Sequence, residues 1–455
     1  MKTILINICD SNMARNFLRT GVLKELKSHK NIKIVALVPE MKFESYKKEF
    51  ASDNIAVDIL PKKSASFFEQ FSVFIARNSI PTHTVRQIQK NGLDGTRMKW
   101  HRYILALFFW LLGHIYFWRF LVAKISYLFF NGSLFSEVFK KYKPDLIFSP
   151  TIFAVNDLRF LKSARNNSVL SVGMIKSWDN LTSKDPLLIK PDWLIVHNEI
   201  VKNEAIEIGH YSKNRIFISG IPQFDVYADP NFIESKEAFF KKMGLDSSKK
   251  LISFFAIGSY LAFHEREMIE LLAKIVNSNK LKFPAQFLVR LHPAFTSDED
   301  KLKSISNIVV DRPGKFITST TAALRDGWEF YLEDTRHLAS TLKWSDVVIN
   351  FGSTTLIESA IHDTPIILTA FDAVKEKDYW FAAQRLIKRE HKIPIVKSGG
   401  VKVAYNENDL ISQINNYLDN PTLDKEGRAR LAEEQCYKND GKAGERIGKF
   451  LISLL

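Results

Sequence analysis

Two short segments hold the residue types that group transfer needs. One is Phe351-Gly352-Ser353-Thr354-Thr355-Leu356-Ile357-Glu358. Backbone N–H groups and hydroxyls at such a helix start make a site for a phosphate or diphosphate. A plain N-cap accounts for one hydroxyl, not for three beside a glycine. Glu358 falls about one helical turn after Thr354, where it either bonds a ribose hydroxyl or is solvated. The other segment is Arg290-Leu291-His292-Pro293. Proline fixes the backbone, and an imidazole can donate to a phosphate oxygen or assist a leaving phosphate. Arg290, two residues earlier in a strand, points to the same face. The alternative for His292 is a core histidine. Gly258-Ser259 ends a further strand. The expected nucleotide-binding set is therefore Gly258, Ser259, Arg290, His292, Pro293, Gly352, Ser353, Thr354, Thr355 and Glu358.

The first half of the chain offers Lys176-Ser177-Trp178-Asp179-Asn180-Leu181-Thr182-Ser183-Lys184. A carboxylate such as Asp179 can take a proton from an attacking hydroxyl. A helix cap at Asp179 with Trp178 in the core is the alternative reading. Asp10 is the rival base, at the end of the first strand, where Ser11 and Arg15 open a helix; capping explains Asp10 or Ser11 equally well. Trp178, Asn180, Lys184, Ser11 and Arg15 are the expected acceptor-side residues, with Lys184 and Arg15 placed to balance diphosphate charge. No metal site is expected. Asp298-Glu299-Asp300 reads as a solvated helix start, and no His-Glu-x-x-His pair or Gly-x-Ser-x-Gly elbow occurs. The donor is the only small molecule required, so no cofactor is expected.

These loops need strands to carry them. Short apolar runs at Thr3–Cys9, Lys33–Val38, Ala56–Ile59, Leu146–Ser149, Val169–Ile175, Trp193–Val196 and Arg215–Ser219 alternate with helical patterns such as Met13–Lys30. A second series runs through Leu251–Ala256, Phe287–Leu291, Ile308–Val310, Val347–Asn350 and Pro365–Leu368. The fold class is α/β, with two tandem doubly wound, Rossmann-like domains. The expected boundaries are residues 1–225, residues 245–440, and a last helix in 441–455 that packs back on the first domain. Ligands belong at the carboxyl ends of both sheets, across an interdomain cleft.

The chain has 455 residues, 46% of them hydrophobic, and two cysteines, which fits a reducing cytoplasm rather than a disulfide framework. Its net charge is +14, and residues 71–130 hold eight Lys and Arg against one acid, Asp94. The same stretch contains Tyr103–Trp118, which carries no formal charge and is rich in aromatics. The insertion around 71–135 suits a helix lying among lipid headgroups, cations toward an anionic membrane surface. A buried helix or a true span are the alternatives, the run being short of the ~20 residues a span needs. Nucleic acid is not an expected partner, because no binding motif appears and the aromatics are not interleaved with the cations.

Tandem α/β domains, a His-Pro strand end and a Gly-Ser-Thr-Thr-x-x-Glu helix start resemble a glycosyltransferase of the two-Rossmann, GT-B type. The resemblance implies a nucleotide sugar on the C-terminal domain and an acceptor on the N-terminal one. The motif pair is similar to the subset that includes bacterial sialyl- and Kdo-type transferases and the CDP-glycerol glycerophosphotransferases of wall teichoic acid synthesis. In the glycerophosphotransferases, Trp178 and its neighbours resemble Trp-His-Gly-Thr-Pro-Leu-Lys, whose histidine is the implied base. Asp179 stands at that histidine's position and Asn180 at the glycine's. An aspartate base is typical of inverting sugar transfer. The expectation is an inverting, metal-independent glycosyltransferase. It would use a CMP-, UDP- or CDP-linked donor and a lipid-linked or polysaccharide acceptor, and would be cytoplasmic and peripheral on the inner membrane face. Asp179 or Asp10 would be the base and His292 would assist the leaving group. The alternatives are glycerophospho transfer, a sugar-nucleotide epimerase, and a non-catalytic assembly scaffold.

Overall fold

The structure, a computed structural model, describes residues 1–91, 98–184, 187–258, 261–292, 299–316 and 328–455. The chain forms two compact units. The first comprises Met1–Gln89, Lys99–Asp225 and Gln435–Leu455; the second comprises Val226–Glu434 and the short piece Lys90–Met98.

The first unit is built on seven strands: β1 (Lys2–Asn7), β2 (Ile32–Val38), β3 (Ile55–Ile59), β4 (Leu146–Ser149), β5 (Leu170–Met174), β6 (Trp193–Val196) and β7 (Ile216–Ile218). They pair in parallel in the order β3-β2-β1-β4-β5-β6-β7. Both faces are covered, so the strands read as unbroken apolar runs. Leu5, Val35, Leu37 and Ile147 enter one core, while Ile4, Ile6, Ile34 and Phe148 enter the other. The helix Ala443–Ser453 adds Ile447 and Leu451 to that second core. Strand order reverses between β1 and β4, and loops at such a reversal flank a ligand crevice.

Two helices differ from the sequence reading. In place of one helix over Met13–Lys30, a short turn at Ser11–Met13 leads into a wide π-type turn at Ala14–Leu18, and a new helix begins at Gly21. The cause is Thr20. Its hydroxyl bonds back to the Asn16 and Phe17 carbonyls, 3.2 Å each, and caps Val22 N at 3.4 Å. The aromatic run is likewise two helices, Trp100–Leu112 and Tyr116–Phe129, bent by 117°. Gly113 lies so close to the backbone of Ser79 that a Cβ there would come 2.9 Å from Ser79 Cα. A third helix, Phe67–Asn78, starts from a capping box between Ser66 and Glu69 and packs beside them.

The second unit has six parallel strands: β8 (Lys250–Phe255), β9 (Ala285–Arg290), β10 (Ile308–Asp311), β13 (Val347–Asn350), β14 (Ile366–Thr369) and β15 (Lys402–Ala404). A separate two-stranded ladder, β11 (Lys315–Phe316) and β12 (Trp328–Glu329), lies between β10 and β13 in sequence. The sheet order is β10-β9-β8-β13-β14-β15, reversing between β8 and β13. The five strands expected here all form within two residues of their expected ends. In the six-stranded sheet β15, three residues long, was not expected, and neither was the short β11–β12 ladder.

Candidate functional site

The reversal point of the second sheet sets the loop after β8, Ala256–Gly258, beside the loop after β13, Phe351–Thr355. The second loop is organised by Asn350, which is fully buried. Its Oδ1 accepts from Gly352 N at 2.6 Å and from Ser353 N at 3.4 Å, and its Nδ2 donates to Thr355 Oγ1 at 3.1 Å. The Ser353 and Thr355 hydroxyls also bond each other. Two of the three hydroxyls therefore brace the loop, and Thr354 is the exposed one. Gly352 has φ +102°, in the left-handed region.

A cation sits against this turn. Lys392, only 2% exposed, donates from Nζ to the Phe351 carbonyl at 2.8 Å. An ammonium carries three donors, so this placement brings positive charge to the glycine turn. Glu358 is not solvated, one of the two readings offered for it. It is buried and accepts a 2.6 Å hydrogen bond from the Tyr227 hydroxyl.

The other expected donor-side residues are more committed than their sequence suggested. Arg290 is buried and ion-paired to Asp311, which also meets His337 Nε2 at 3.1 Å. Burial alone would raise the Asp311 carboxyl; Arg290 and His337 more than offset this and bring its pKa down to about 2. The N–H of Gly258 is held by Glu265, as is that of Ile257 at 2.5 Å. Burial pushes the Glu265 carboxyl up to about 7 despite these two donors. His292 follows β9 and is half-buried. Ser259 and Pro293 lie outside the described residues. Glu299 binds Lys303 at 2.7 Å and Arg312 at 2.8 Å, while Asp298 lies outside the described residues. Among the described residues, no three His, Cys, Asp or Glu side chains gather as metal ligands.

On the first unit, the expected acceptor-side residues share the carboxyl edge of one sheet. Asp179 follows β5. Its carboxylate accepts from Ser177 Oγ at 2.6 Å and Asn180 Nδ2 at 3.2 Å, and pairs with Lys184 Nζ at 3.2 Å. Trp178 and Asn180 are buried beneath it. Asp10 caps Met13 N at 2.9 Å, as the alternative reading for it had it, and faces Lys176 Nζ at 3.8 Å. Ser11 is buried and takes a 2.9 Å bond from Lys42. Arg15 bonds the neighbouring Asn16 side chain at 3.0 Å. Behind them, fully buried Asp157 accepts from Asn7 Nδ2 at 2.9 Å and Ala154 N at 3.0 Å, and burial lifts its pKa to about 6. Burial, then the charges of Asp157 and Asp10, pushes the Cys9 thiol well above its ordinary range, so it is no thiolate nucleophile.

Sequence reasoning missed Lys392, Asn350, Lys42 and Asp157. Asn350 had a local signal, since it immediately precedes the glycine turn. Lys392 and Lys42 had none, each lying some thirty to forty residues from its partner.

Known proteins match this chain in sequence over its later part and in fold over its whole length. A family profile described as CDP-glycerol:poly(glycerophosphate) glycerophosphotransferase matches residues 175–453. No curated protein matches the sequence. Among solved structures, the chain is similar to UDP-GlcNAc 2-epimerase from Neisseria meningitidis bound to UDP-GlcNAc (TM-score 0.57, 12% identity, 100% of both chains covered). It is also similar to a glycosyltransferase from Rickettsia africae ESF-5 (TM-score 0.51, 13% identity, covering 99% of this chain and 98% of that one). A third is the calicheamicin glycosyltransferase CalG4 (TM-score 0.53, 10% identity, covering 100% and 98%). These likenesses establish the two-Rossmann GT-B fold.

Proposed function

The chain belongs to the CDP-glycerol:poly(glycerophosphate) glycerophosphotransferase family, and from that premise we propose that it transfers a phosphorylated polyol from a CDP-linked donor to an acceptor hydroxyl. That it is a GT-B, glycosyltransferase-type enzyme acting from a nucleotide-sugar or CDP-glycerol donor follows from the family and the fold. The acceptor, location and chemistry are the proposed part. The acceptor is a lipid-linked or surface polysaccharide at the cytoplasmic membrane face, and no metal takes part.

One observation carries the reading. The second unit, inside the family match, has a glycine loop braced by Asn350, backed by Lys392, at the reversal point of its sheet. That arrangement supports a bound nucleotide diphosphate, with cation and backbone dipoles rather than a metal opposing the charge of the leaving group. His292 and Thr354 complete the donor side. On the first unit, Asp179 receives the acceptor proton, and Lys184, 3.2 Å away, orients its carboxylate. The acceptor oxygen forms a bond to the donor's β-phosphorus. The bond from that phosphorus to the α-phosphate oxygen breaks, and CMP leaves with the electron pair.

Inverting sugar transfer is the second reading, and one observation favours it: an aspartate stands where the family's motif has histidine. There the acceptor oxygen attacks an anomeric carbon, and the nucleoside diphosphate leaves, or CMP from a CMP-linked sugar. The mass of the product decides between them: phospho transfer releases CMP and leaves a phosphate on the product, and sugar transfer leaves none. A general base contributes ~10²–10⁴-fold. Asp179→Asn is therefore expected to slow either reaction by about that factor while nucleotide binding is kept. A folded Asp179→Asn enzyme with near-wild-type rate ends Asp179's role and turns attention to Asp10.

A further inference from the structure

We infer that the helical insertion of the first unit docks the enzyme on an anionic lipid bilayer, sinking an aromatic face into one leaflet without crossing it. This deepens, and rests on, the membrane-face location proposed above. The helices Phe67–Asn78, Trp100–Leu112 and Tyr116–Phe129 turn large apolar side chains to solvent that a folded protein normally buries. Trp100 is 74% exposed, Phe67 and Leu128 72%, Phe117 65%, Leu111 56% and Phe108 53%. Contiguous exposure of this kind marks an interaction surface. The three helices form one body beneath it. Phe68 stacks on Phe129 at 5.2 Å, Phe74 meets Phe109 edge-on at 6.3 Å, and Phe109 stacks on Trp118 at 6.0 Å.

Charge selects the occupant. Among the described residues of 60–135, every exposed charged side chain is basic: Lys62, Lys63, Lys99, Arg102 and Lys124. The one carboxylate there, Glu69, is buried against Arg159. A basic rim around aromatics matches anionic headgroups over acyl chains. A second copy of the chain would bring two such rims together, and like charge opposes that pairing. Length argues against a crossing. The two bent helices have 13 and 14 residues, about 20 Å each, against a hydrocarbon core of about 30 Å. Among the described residues no single helix is long and apolar enough to cross a membrane.

The helix Phe67–Asn78 and the turn that follows it, Ser79–Thr82, hold the loop of the candidate base. Thr82 Oγ1 donates to the Thr182 carbonyl at 2.7 Å, and Arg77 Nε to the Lys184 carbonyl at 3.4 Å. Trp118 Nε1 in turn bonds Ser79 Oγ at 2.9 Å, and Trp110 Nε1 the Thr82 carbonyl at 3.2 Å. Docking therefore fixes the Asp179 loop with respect to the bilayer from which a lipid-linked acceptor would come.

The test is flotation of the full-length protein with vesicles of phosphatidylcholine alone or mixed with phosphatidylglycerol. Wild type is expected to float with the mixed vesicles and to stay behind with the neutral ones. Phe108→Asp/Phe117→Asp should stay behind with both. Arg102→Glu/Lys124→Glu should weaken binding to mixed vesicles by roughly tenfold or more. Circular dichroism reports whether each variant is folded, and CMP binding, which the transfer reading expects of the second unit, is measured beside it. The inference is overturned if wild type floats with neither vesicle, or if the Phe variant floats as wild type does. It is also overturned if light scattering shows a wild-type dimer that the Phe variant dissolves. Loss of CMP binding in wild type would count against the transfer reading instead and leave this one standing.

Discussion

Gly352→Ala tests the donor loop most directly. A methyl group there would lie 2.5 Å from Lys392 Cε and 3.0 Å from Cδ, closer still to the ammonium. Gly352 holds φ +102°, and a left-handed conformation costs a residue with a Cβ roughly 1–2 kcal/mol. Making room also pulls Lys392 off the Phe351 carbonyl, and a hydrogen bond to a charged group is worth about 1.5–3 kcal/mol. Together these disfavour the native loop by about 2.5–5 kcal/mol. If the loop holds the donor's phosphates, the dissociation constant for CMP or CDP should rise by roughly 10²–10³-fold at ~1.4 kcal/mol per decade. Isothermal titration reads this, with urea unfolding as the stability control. Gly244→Ala is the matched comparison. Gly244 also has positive φ, +66°, but no atom lies within 4 Å of its added Cβ. It should show only the strain, as a small loss of stability with CMP affinity unchanged. A folded Gly352→Ala protein that binds CMP and CDP within threefold or so of wild type, where ~1.4 kcal/mol would be tenfold, refutes the assignment of phosphate to this loop.

Two further outcomes come from buried carboxyls. Glu265, raised to about 7 in the folded protein, has an unfolded value near ~4.3. Between those values the folded state binds more protons, so its contribution to stability should fall as pH rises through the window and level off above it. Urea midpoints across that range should show the slope in wild type and lose it in Glu265→Gln; parallel curves would remove Glu265 as the cause. Glu69 has the opposite sign. Burial raises it, but Arg159, Ser66 and Asn131 outweigh burial and hold it down to about 2. Its contribution should be complete above ~4.3 and disappear as pH falls toward 2. Glu69→Gln strands the buried Arg159 guanidinium and should cost about 3–5 kcal/mol, visible as a lowered Tm; an unchanged Tm would mean Arg159 is satisfied by the Lys63 and Ser64 carbonyls it also contacts.

The strands were legible because a sheet covered on both faces leaves a mark every residue long. Val347–Asn350 and Ile366–Thr369 stand out in the chain for that reason, and the glycine turn between them identifies itself. What sequence could not carry is partnership at a distance. Arg290 looked like a phosphate ligand because it precedes His292-Pro293. In the sheet it lies directly beside Asp311, the last residue of the neighbouring strand, and the nearer carboxylate takes its charge. The opposite happened at Lys392, which looked like one more surface cation until the fold carried it under Phe351.

The aromatic insertion shows the same limit with more consequence. As a one-dimensional pattern it was a single apolar helix with two charged ends, and its alternatives could not be separated. The bend at Gly113 depends on Ser79, thirty-four residues earlier, and so does the anchoring of Trp118. Once both contacts form, the run cannot lie straight, and its exposed aromatics join those of Phe67–Asn78 in a common face. The buried side of that assembly ends at Thr82, which holds the Thr182 carbonyl three residues from Asp179. That mounting suits the acceptor proposed above: an Asp179 loop tied to an aromatic face that rests on lipid would meet a bilayer-drawn acceptor at a fixed height above it.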